Sequence, residues 1–324
     1  VATFTSPSGT QNKVVYGFYY EDFSANWDIS PTEYNFRVRF APTEIGQWTC
    51  SMVVNSPNGK FPATYTAGNI HFTCVTNGGN KGYLQVGWHN RQLKFSGTGE
   101  SFFAIGQNIP WIHHSEWGTN DFSPSEFKTF ADHVNNIRGS EDGHDNWGNF
   151  VRIIMANWSH GIEWENLGDY SDYISTSGHV QNRQHNAFEL DKIFENCASR
   201  GIYVYLDIEM QTGYNAVSVD GVEPEFLWGN NPYHTQLGLS TPSDMLTNPI
   251  AKKYFKRKLR YILSRWGYST SLGVLELLSE QDNWDGYNVQ MSYDMFSWHQ
   301  EMGDYIVNTL GEGKHLLSIS YKDL

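Results

Sequence analysis

The chain has 324 residues, enough for two domains, and its 39% hydrophobic and 18% charged content places it among globular rather than disordered proteins. A formal net charge of −13 argues against nucleic acid as a partner, which calls for a basic stripe, and an acidic surface fits a secreted, extracellular protein. No apolar run reaches membrane-spanning length, no signal peptide is present, and the first residue is Val1 rather than Met, which reads as a processed chain or a fragment.

Residues 1 to about 76 predict an all-β region. The alternating segments NKVVYGFYY, YNFRVRFAP, GQWTCSMVV and GNIHFTCVT are separated by the turn formers SPSGT, PTEIG and SPNGK. Turns at such short intervals indicate an Ig-like β-sandwich. Four or five strands are few for a closed sandwich, so the domain is expected to be incomplete at its N-terminus. Cys50 shares strand parity with Trp48, and Cys74 with Phe72, so both point into one core. They either form a disulfide, in an exported protein, or stay as buried thiols. Cys197 falls in a helical stretch and is expected only to pack.

TNGGNKG (76–82) reads as a linker. Beyond it, YLQVGWHNRQLKFSGTGESFFAIGQNIPW predicts a small hairpin leading into a new strand. From there strands and helices alternate. SPSEFKTFADHVNNIR begins with a Ser123 cap and Pro124 at the first helical position, and GNFVRIIMANW is a strand. FELDKIFENCASRG is a helix closed by Gly201, and IYVYLDIEM a strand. NPIAKKYFKRKLRYILSRWG is a long amphipathic helix before the strand GVLELLSE. SWHQEMGDYIVNTLG is a further helix and HLLSISY a fifth strand. This alternation implies a parallel sheet, open or closed. A nucleotide-binding α/β fold is excluded because no Gly-rich loop leads from the first strand into a helix.

Strand parity then sorts the polar groups. In a parallel barrel one face of each strand meets the helices and the other meets the interior. Val204, Leu206, Ile208 and Met210 form one face of their strand, leaving Tyr203, Tyr205, Asp207 and Glu209 opposite. The same rule sends Arg152, Ile154, Ala156 and Trp158 inward from a second strand, and Val274, Glu276, Leu278 and Glu280 from a third. Arg152, Asp207, Glu209, Glu276 and Glu280 therefore share one interior. Buried charges there must offset one another, with Arg152 compensating at least one carboxylate. Glu276 lies deeper and reads as structural. Glu280 and Glu209 sit at strand C-terminal ends, where parallel barrels place their chemistry.

The aromatic content of 15%, with 12 Trp, suits the flat C–H faces of sugar rings as well as ordinary core packing. The adjacent His113 and His114 lack a third ligand and make no metal site, and no cofactor is implied. The sequon Asn157–Trp158–Ser159 falls at a strand end and reads as coincidence.

RYILSRWGYSTSLGVLELLSEQDNW closely resembles the fourth-strand region of clan A glycoside hydrolases of the cellulase-like, family-five type. GNFVRIIMANW is similar to their second strand, whose Arg falls on Arg152. GIYVYLDIEM resembles their third strand and FFAIGQNIPW their first. VYGFYY…YNFRVRFAPTEIGQWTCSMVV resembles the β-sandwich module often fused ahead of these barrels. The resemblance implies a sandwich over residues 1–76 and a (β/α)8 TIM barrel over 83–324, of which about five strands are present and the C-terminal part is missing. It implies a retaining hydrolase of β-linked polysaccharide or oligosaccharide, in which an acid protonates the glycosidic oxygen while a carboxylate about 5–5.5 Å away attacks the anomeric carbon. Glu280 takes the acid/base role, with its pKa raised by burial and by the nucleophile. Trp111, His113, His114, Trp158, Asp207, Glu209, Ser279 and Trp284 are then the substrate-binding candidates. Three positions depart from the pattern. Ser279 replaces the Asn that precedes the acid, Leu275 replaces a Trp, and Glu209 stands where many relatives carry His. The nucleophile of the family lies on a seventh strand, and no residue of this chain takes that role. Two readings remain: a hydrolase whose sequence is incomplete, or a non-catalytic carbohydrate-binding or surface-structural protein on the same scaffold. The identity of the glycan and any self-association are not encoded in a readable pattern.

Overall fold

The computed structural model describes residues 1–32, 34–55, 64–76, 79–110, 124–141, 144–145, 147–156, 160–162, 184–215 and 227–322. Trp111, His113, His114 and Trp158 lie outside them, as does the sequon around Asn157.

The chain opens with β1 (Ala2–Thr5) and β2 (Asn12–Val15). Four two-residue strands follow: β3 (Phe18–Tyr19), β4 (Asp22–Phe23), β5 (Ile29–Ser30) and β6 (Phe36–Arg37). The long strands β7 (Gly46–Asn55) and β8 (Thr64–Cys74) complete an antiparallel sheet in the order β2-β1-β7-β8. Alternation puts Phe4, Trp48 and Phe72 on one face of it. Phe40 stacks on Phe4 with ring centroids 4.2 Å apart, and Val38 joins the same cluster. Burying each such ring stabilises by about 1.5–3 kcal/mol, and the Trp48 indole N–H donates to the Glu44 carbonyl at 2.8 Å. Cys50 and Cys74 face this core as free thiols. Cys50 pairs with Ile70 and Cys74 with Gly46, so the two are offset by four ladder positions. That offset is on the order of 13 Å along the strand, well beyond the ~7 Å reach of a disulfide. The structure thus has two free thiols rather than a disulfide, Cys50 buried and Cys74 half-buried.

The segment YNFRVRFAP, expected as a strand, yields only Phe36–Arg37. Phe18, Tyr20, Phe23 and Trp27 instead pack on the helices that follow. Phe18 and Tyr20 belong to the large core with those helices, because each aromatic side chain finds an apolar helix face there.

Three short strands, β9 (Leu84–Val86), β10 (Leu93–Phe95) and β11 (Ser101–Phe102), form an antiparallel sheet of their own. Then comes β12 (Gly106–Asn108), helix α1 (Pro124–Ile137), a minimal pair β13 (Ser140–Glu141) and β14 (His144–Asp145), and β15 (Phe150–Ile154). Helix α2 (Gln184–Ser199) leads past Gly201, whose φ of 66° ends it, into β16 (Tyr203–Asp207). Two single-turn helices, α3 (Pro232–Thr235) and α4 (Asp244–Thr247), precede the long α5 (Pro249–Trp266). Asn248 caps α5 by accepting from Ile250 and Ala251 N–H at 2.8 and 3.1 Å. β17 (Leu272–Glu276), α6 (Val289–Asp304) and β18 (Leu316–Ser318) end the series.

The five strands β12-β15-β16-β17-β18 form one parallel sheet in sequential order. One face carries Val151, Ile153, Val204, Leu206 and Leu275 into the helix layer, all fully buried. Between β16 and β17 the register slips by one residue at Gly273, a bulge where an added Cβ would stand 3.1 Å from Leu84 and 3.2 Å from Tyr203. The small sheet packs beneath: Leu84, Phe95 and Phe102 meet Phe150, Tyr203 and Leu316, the first residues of three strands. The N-terminal end of the parallel sheet is therefore filled with apolar side chains.

Helix α2 is tied to the N-terminal segment by charge. Asp191, almost fully buried, accepts from both guanidinium nitrogens of Arg39 at 2.6 and 3.1 Å. It also accepts from Arg265 Nε and Nη2 at 3.2 and 2.7 Å, and from the Trp266 indole at 2.8 Å. Arg265 stands over the Tyr20 ring at 4.8 Å. Burial alone would raise the Asp191 pKa, but the two guanidinium groups outweigh it and hold the carboxyl below its usual range.

Candidate active site

The second face of the parallel sheet carries the charged group anticipated from parity. Arg152 on β15 donates through Nη2 to Asp207 Oδ2 at 2.9 Å and to Glu276 Oε2 at 2.8 Å. In-register pairing explains the meeting, since Asp207 and Glu276 are direct neighbours across β16 and β17 and Arg152 lies two positions lower on its strand. Both carboxylates are fully buried. Their second oxygens, Asp207 Oδ1 and Glu276 Oε1, have no hydrogen-bond partner among the described residues, although the Ser279 hydroxyl lies close enough to Asp207 to favour its ionised form. Burial, reinforced by the charge of Glu276 and only partly offset by Arg152, holds the Asp207 pKa well above the carboxylate range. One cation thus serves two carboxyls, and the least costly arrangement keeps a proton on Asp207.

One residue that parity assigned to this face without a role completes the group. Tyr205 extends beneath the Arg152 guanidinium, 5.6 Å from its ring centroid, and donates to Ser318 Oγ at 3.0 Å. Burial first of all pushes its phenol up to about 12, so it stays a hydrogen-bond donor. Its inward position was legible in the period-two pattern, but the partner on β18 was not.

Beyond β17 the chain passes through Leu277, Leu278 and Ser279 to Glu280. Leu277 N–H reaches the Ser318 carbonyl at 3.3 Å and Ser279 N–H the Glu209 carbonyl at 3.0 Å, so the ends of neighbouring strands hold this segment on both sides. Glu280 is partly exposed and adopts φ 44°, ψ 46°, the left-handed region, with its N–H donating to Ser320 Oγ at 3.1 Å. Such a backbone is unfavourable for a residue with a Cβ and persists only where the surroundings impose it. Gln281, fully buried, accepts through Oε1 from His299 Nε2 at 2.7 Å. Burial lowers the His299 pKa to about 4, which keeps the imidazole neutral.

Two candidates stand elsewhere than the sequence suggested. Glu209 does not join the Arg152 group: β16 ends at Asp207, alternation stops with it, and the Glu209 carboxylate is ion-paired with buried Lys258 of α5. Trp284 is only 3% exposed and lies flat on Tyr214, with ring centroids 3.8 Å apart and planes 3° apart. It is packed within the core cluster rather than standing open in a cleft. Ser279 is also buried, and its hydroxyl donates to the Glu209 carbonyl at 3.2 Å. Among the described residues no group of three or more His, Cys, Asp or Glu side chains is arranged to hold a metal ion, and no helix is long and apolar enough to cross a membrane.

The arrangement joins a buried cation–dicarboxyl group to a partly exposed carboxylate at the C-terminal end of one parallel sheet, a setting able to give and take a proton. No protein-family model matches the chain, and no curated protein matches it in sequence. Solved structures do. A candidate glycoside hydrolase from Bacteroides vulgatus ATCC 8482 superposes with a TM-score of 0.56 at 17% identity, covering 98% of this chain and 50% of its own. A β-1,4-D-mannanase from Cryptopygus antarcticus gives 0.43 at 10% identity over 74% of this chain and 60% of its own. A β-glucuronidase from Parabacteroides merdae gives 0.40 at 12% identity over 84% and 23%. The chain spans about half the length of the Bacteroides vulgatus protein. Over nearly all of its own length, it shares the fold of that candidate glycoside hydrolase.

Proposed function

We propose that the protein is a glycosidase acting on a β-linked polysaccharide or oligosaccharide by a retaining double displacement, with Glu280 as general acid/base. The observation that carries this reading is the placement of Glu280. It is a partly exposed carboxyl at the C-terminal end of β17, in a left-handed backbone conformation, next to the buried Arg152–Asp207–Glu276 group. In the first step Glu280 would give its proton to the glycosidic oxygen as the anomeric C–O bond breaks, while a second carboxylate bonds to the anomeric carbon. In the second step Glu280 would take a proton from the water that releases the sugar. The second carboxylate is not among the described residues. Arg152, fixed by its two carboxyl partners, would orient it. In this reading the five parallel strands belong to an eight-stranded barrel over residues 83–324, the antiparallel sheet to an accessory sandwich over 1–76, and the protein is exported to meet its polymer.

A second reading, a carbohydrate-binding scaffold without catalysis, draws on Ser279. It stands where the resemblance places a sugar-contacting Asn, yet its hydroxyl is turned back onto the Glu209 carbonyl. The deciding experiment assays the full-length protein and its Glu280→Gln variant on β-linked glucans, mannans and xylans. Loss of kcat by about 10²–10⁴-fold in the variant is expected, the contribution of a positioned acid/base. Sugar binding by the full-length protein without turnover would leave the scaffold reading in its place.

A further inference from the structure

Helix α5 is an electrostatic exception in this chain. The protein has 35 acidic and 22 basic residues, yet seven of the basic ones and no Asp or Glu fall within Pro249–Trp266. Lys252, Lys256 and Arg260 follow one another at i, i+4 spacing, as do Lys253 and Arg257, and like charges at that spacing destabilise a helix. Lys252 also closes the first turn, where the helix dipole disfavours a cation. Glu301 of α6 takes Lys252 and Lys256 at 2.9 and 2.6 Å, and the pair holds its carboxyl below the usual range despite burial. Lys253, Arg257 and Arg260 have no carboxylate partner among the described residues. Instead the Arg257 guanidinium lies over Tyr254 at 5.1 Å and that of Arg260 over Tyr16 at 5.8 Å. Lys253, Arg257 and Arg260, with Lys252, Lys256, Glu301 and Tyr305, line a groove of about 370 Å³.

A solvated helix face in an acidic protein would carry alternating signs. This one accumulates repulsion, and its two guanidinium groups are braced against aromatic rings so that their forks stay open. Planar forks held in this way match oxyanions in two-point contact. We infer that the α5–α6 groove binds the carboxylate or sulfate groups of an acidic glycan, at a site separate from Glu280. The choice of a glycan rests on the carbohydrate reading above, and the groove supports it. The Tyr305 ring in the groove suits a sugar face, and a ligand with one charge per sugar ring keeps its charge within the patch. Duplex DNA, with a charge every ~1.7 Å of axis, would extend its charge far over a surface of net −13.

Calorimetric titrations in 0.1 M salt test this with oligogalacturonate for the carboxylate arm and dextran sulfate oligomers for the sulfate arm. A neutral β-manno-oligosaccharide, inorganic phosphate and duplex DNA serve as comparisons. The expected result is binding in at least one arm, weakened at least tenfold in Arg257→Gln/Arg260→Gln and by added salt, with neutral oligosaccharide binding unchanged. Melting temperature should stay level or rise in that variant, because repulsion is removed, whereas a structural role would lower it. Should the double variant fold poorly, Lys253→Gln, at an exposed position, should still weaken binding several-fold. No binding in either arm, equal binding by the variants, tighter binding of DNA, or full competition by phosphate would each overturn the proposal. Glu280→Gln should bind the acidic glycan as the wild type does, so the absence of hydrolysis by the wild-type protein would count against the glycosidase reading and leave this one standing.

Discussion

Replacing Arg152 by Met keeps most of the side-chain volume and removes the one cation shared by two fully buried carboxyls. Breaking a buried ion pair by deleting one partner typically costs 3–5 kcal/mol, because the remaining charge is left without compensation. Here one of the two carboxyls already favours a proton, so the loss should fall near the lower end, about 3 kcal/mol at neutral pH. The pH dependence follows from Asp207. Its folded pKa lies above the unfolded value, so between the two the folded state holds more protons and stability falls as pH rises. Arg152 works against that elevation, and its removal should carry the decline to higher pH. Urea denaturation followed by tryptophan fluorescence at pH 4.5 and 7.5 measures both effects. The variant should lose most at pH 7.5 and clearly less at pH 4.5, where protonation relieves the uncompensated charges, and Arg152→Lys should recover part of the loss. A deficit under about 1 kcal/mol at both values, or a larger one in acid, would refute the shared-cation account.

Two further perturbations probe buried charge outside the site. Asp191→Asn removes the anion that joins Arg39 to Arg265 and should cost about 3–5 kcal/mol at pH 7. The Asp191 pKa is depressed, so its contribution is complete above the unfolded value near 4 and is lost as pH falls below it. Thermal melts of the variant and wild type should therefore converge toward pH 2–3. Lys258→Met leaves Glu209 buried without its cation and should destabilise by a similar ~3–5 kcal/mol, read from urea midpoints. The double replacement Lys258→Met/Glu209→Leu should regain most of the loss, since an apolar pair of similar volume substitutes for a buried ion pair at little net cost.

Some of this architecture was legible in the sequence and some was not, and the division follows the range of the forces involved. Arg152, Asp207 and Glu276 could be brought together from alternation alone, because a strand's period of two and an in-register parallel sheet fix which side chains share a face. The helix starts at Pro124 and Pro249 were written in local capping chemistry. Glu209 escaped the same rule because alternation holds only while the ladder continues, and the ladder stops two residues earlier. Its partner Lys258 comes from a helix whose rotation about its axis is set by packing. Trp284 looked like a cleft residue because it follows a strand, but Tyr214 covers it. The Arg39–Asp191 contact joins residues 152 positions apart, and the diversion of Phe18 and Tyr20 into the helix layer has no local signature. Such contacts depend on how whole elements dock.

The small sheet β9–β11 has a consequence for how the molecule can change. Leu84, Phe95 and Phe102 stopper the N-terminal end of the parallel sheet, so apolar packing fills that end beneath the interior charges. Apolar cohesion is concentrated at that end, and the charged groups lie toward the other. Replacements around Glu280 should then leave the melting behaviour largely to the stopper. A polar substitution at Phe95 or Phe102 should do the reverse, loosening the sheet at its base while the charged groups above it keep their identities.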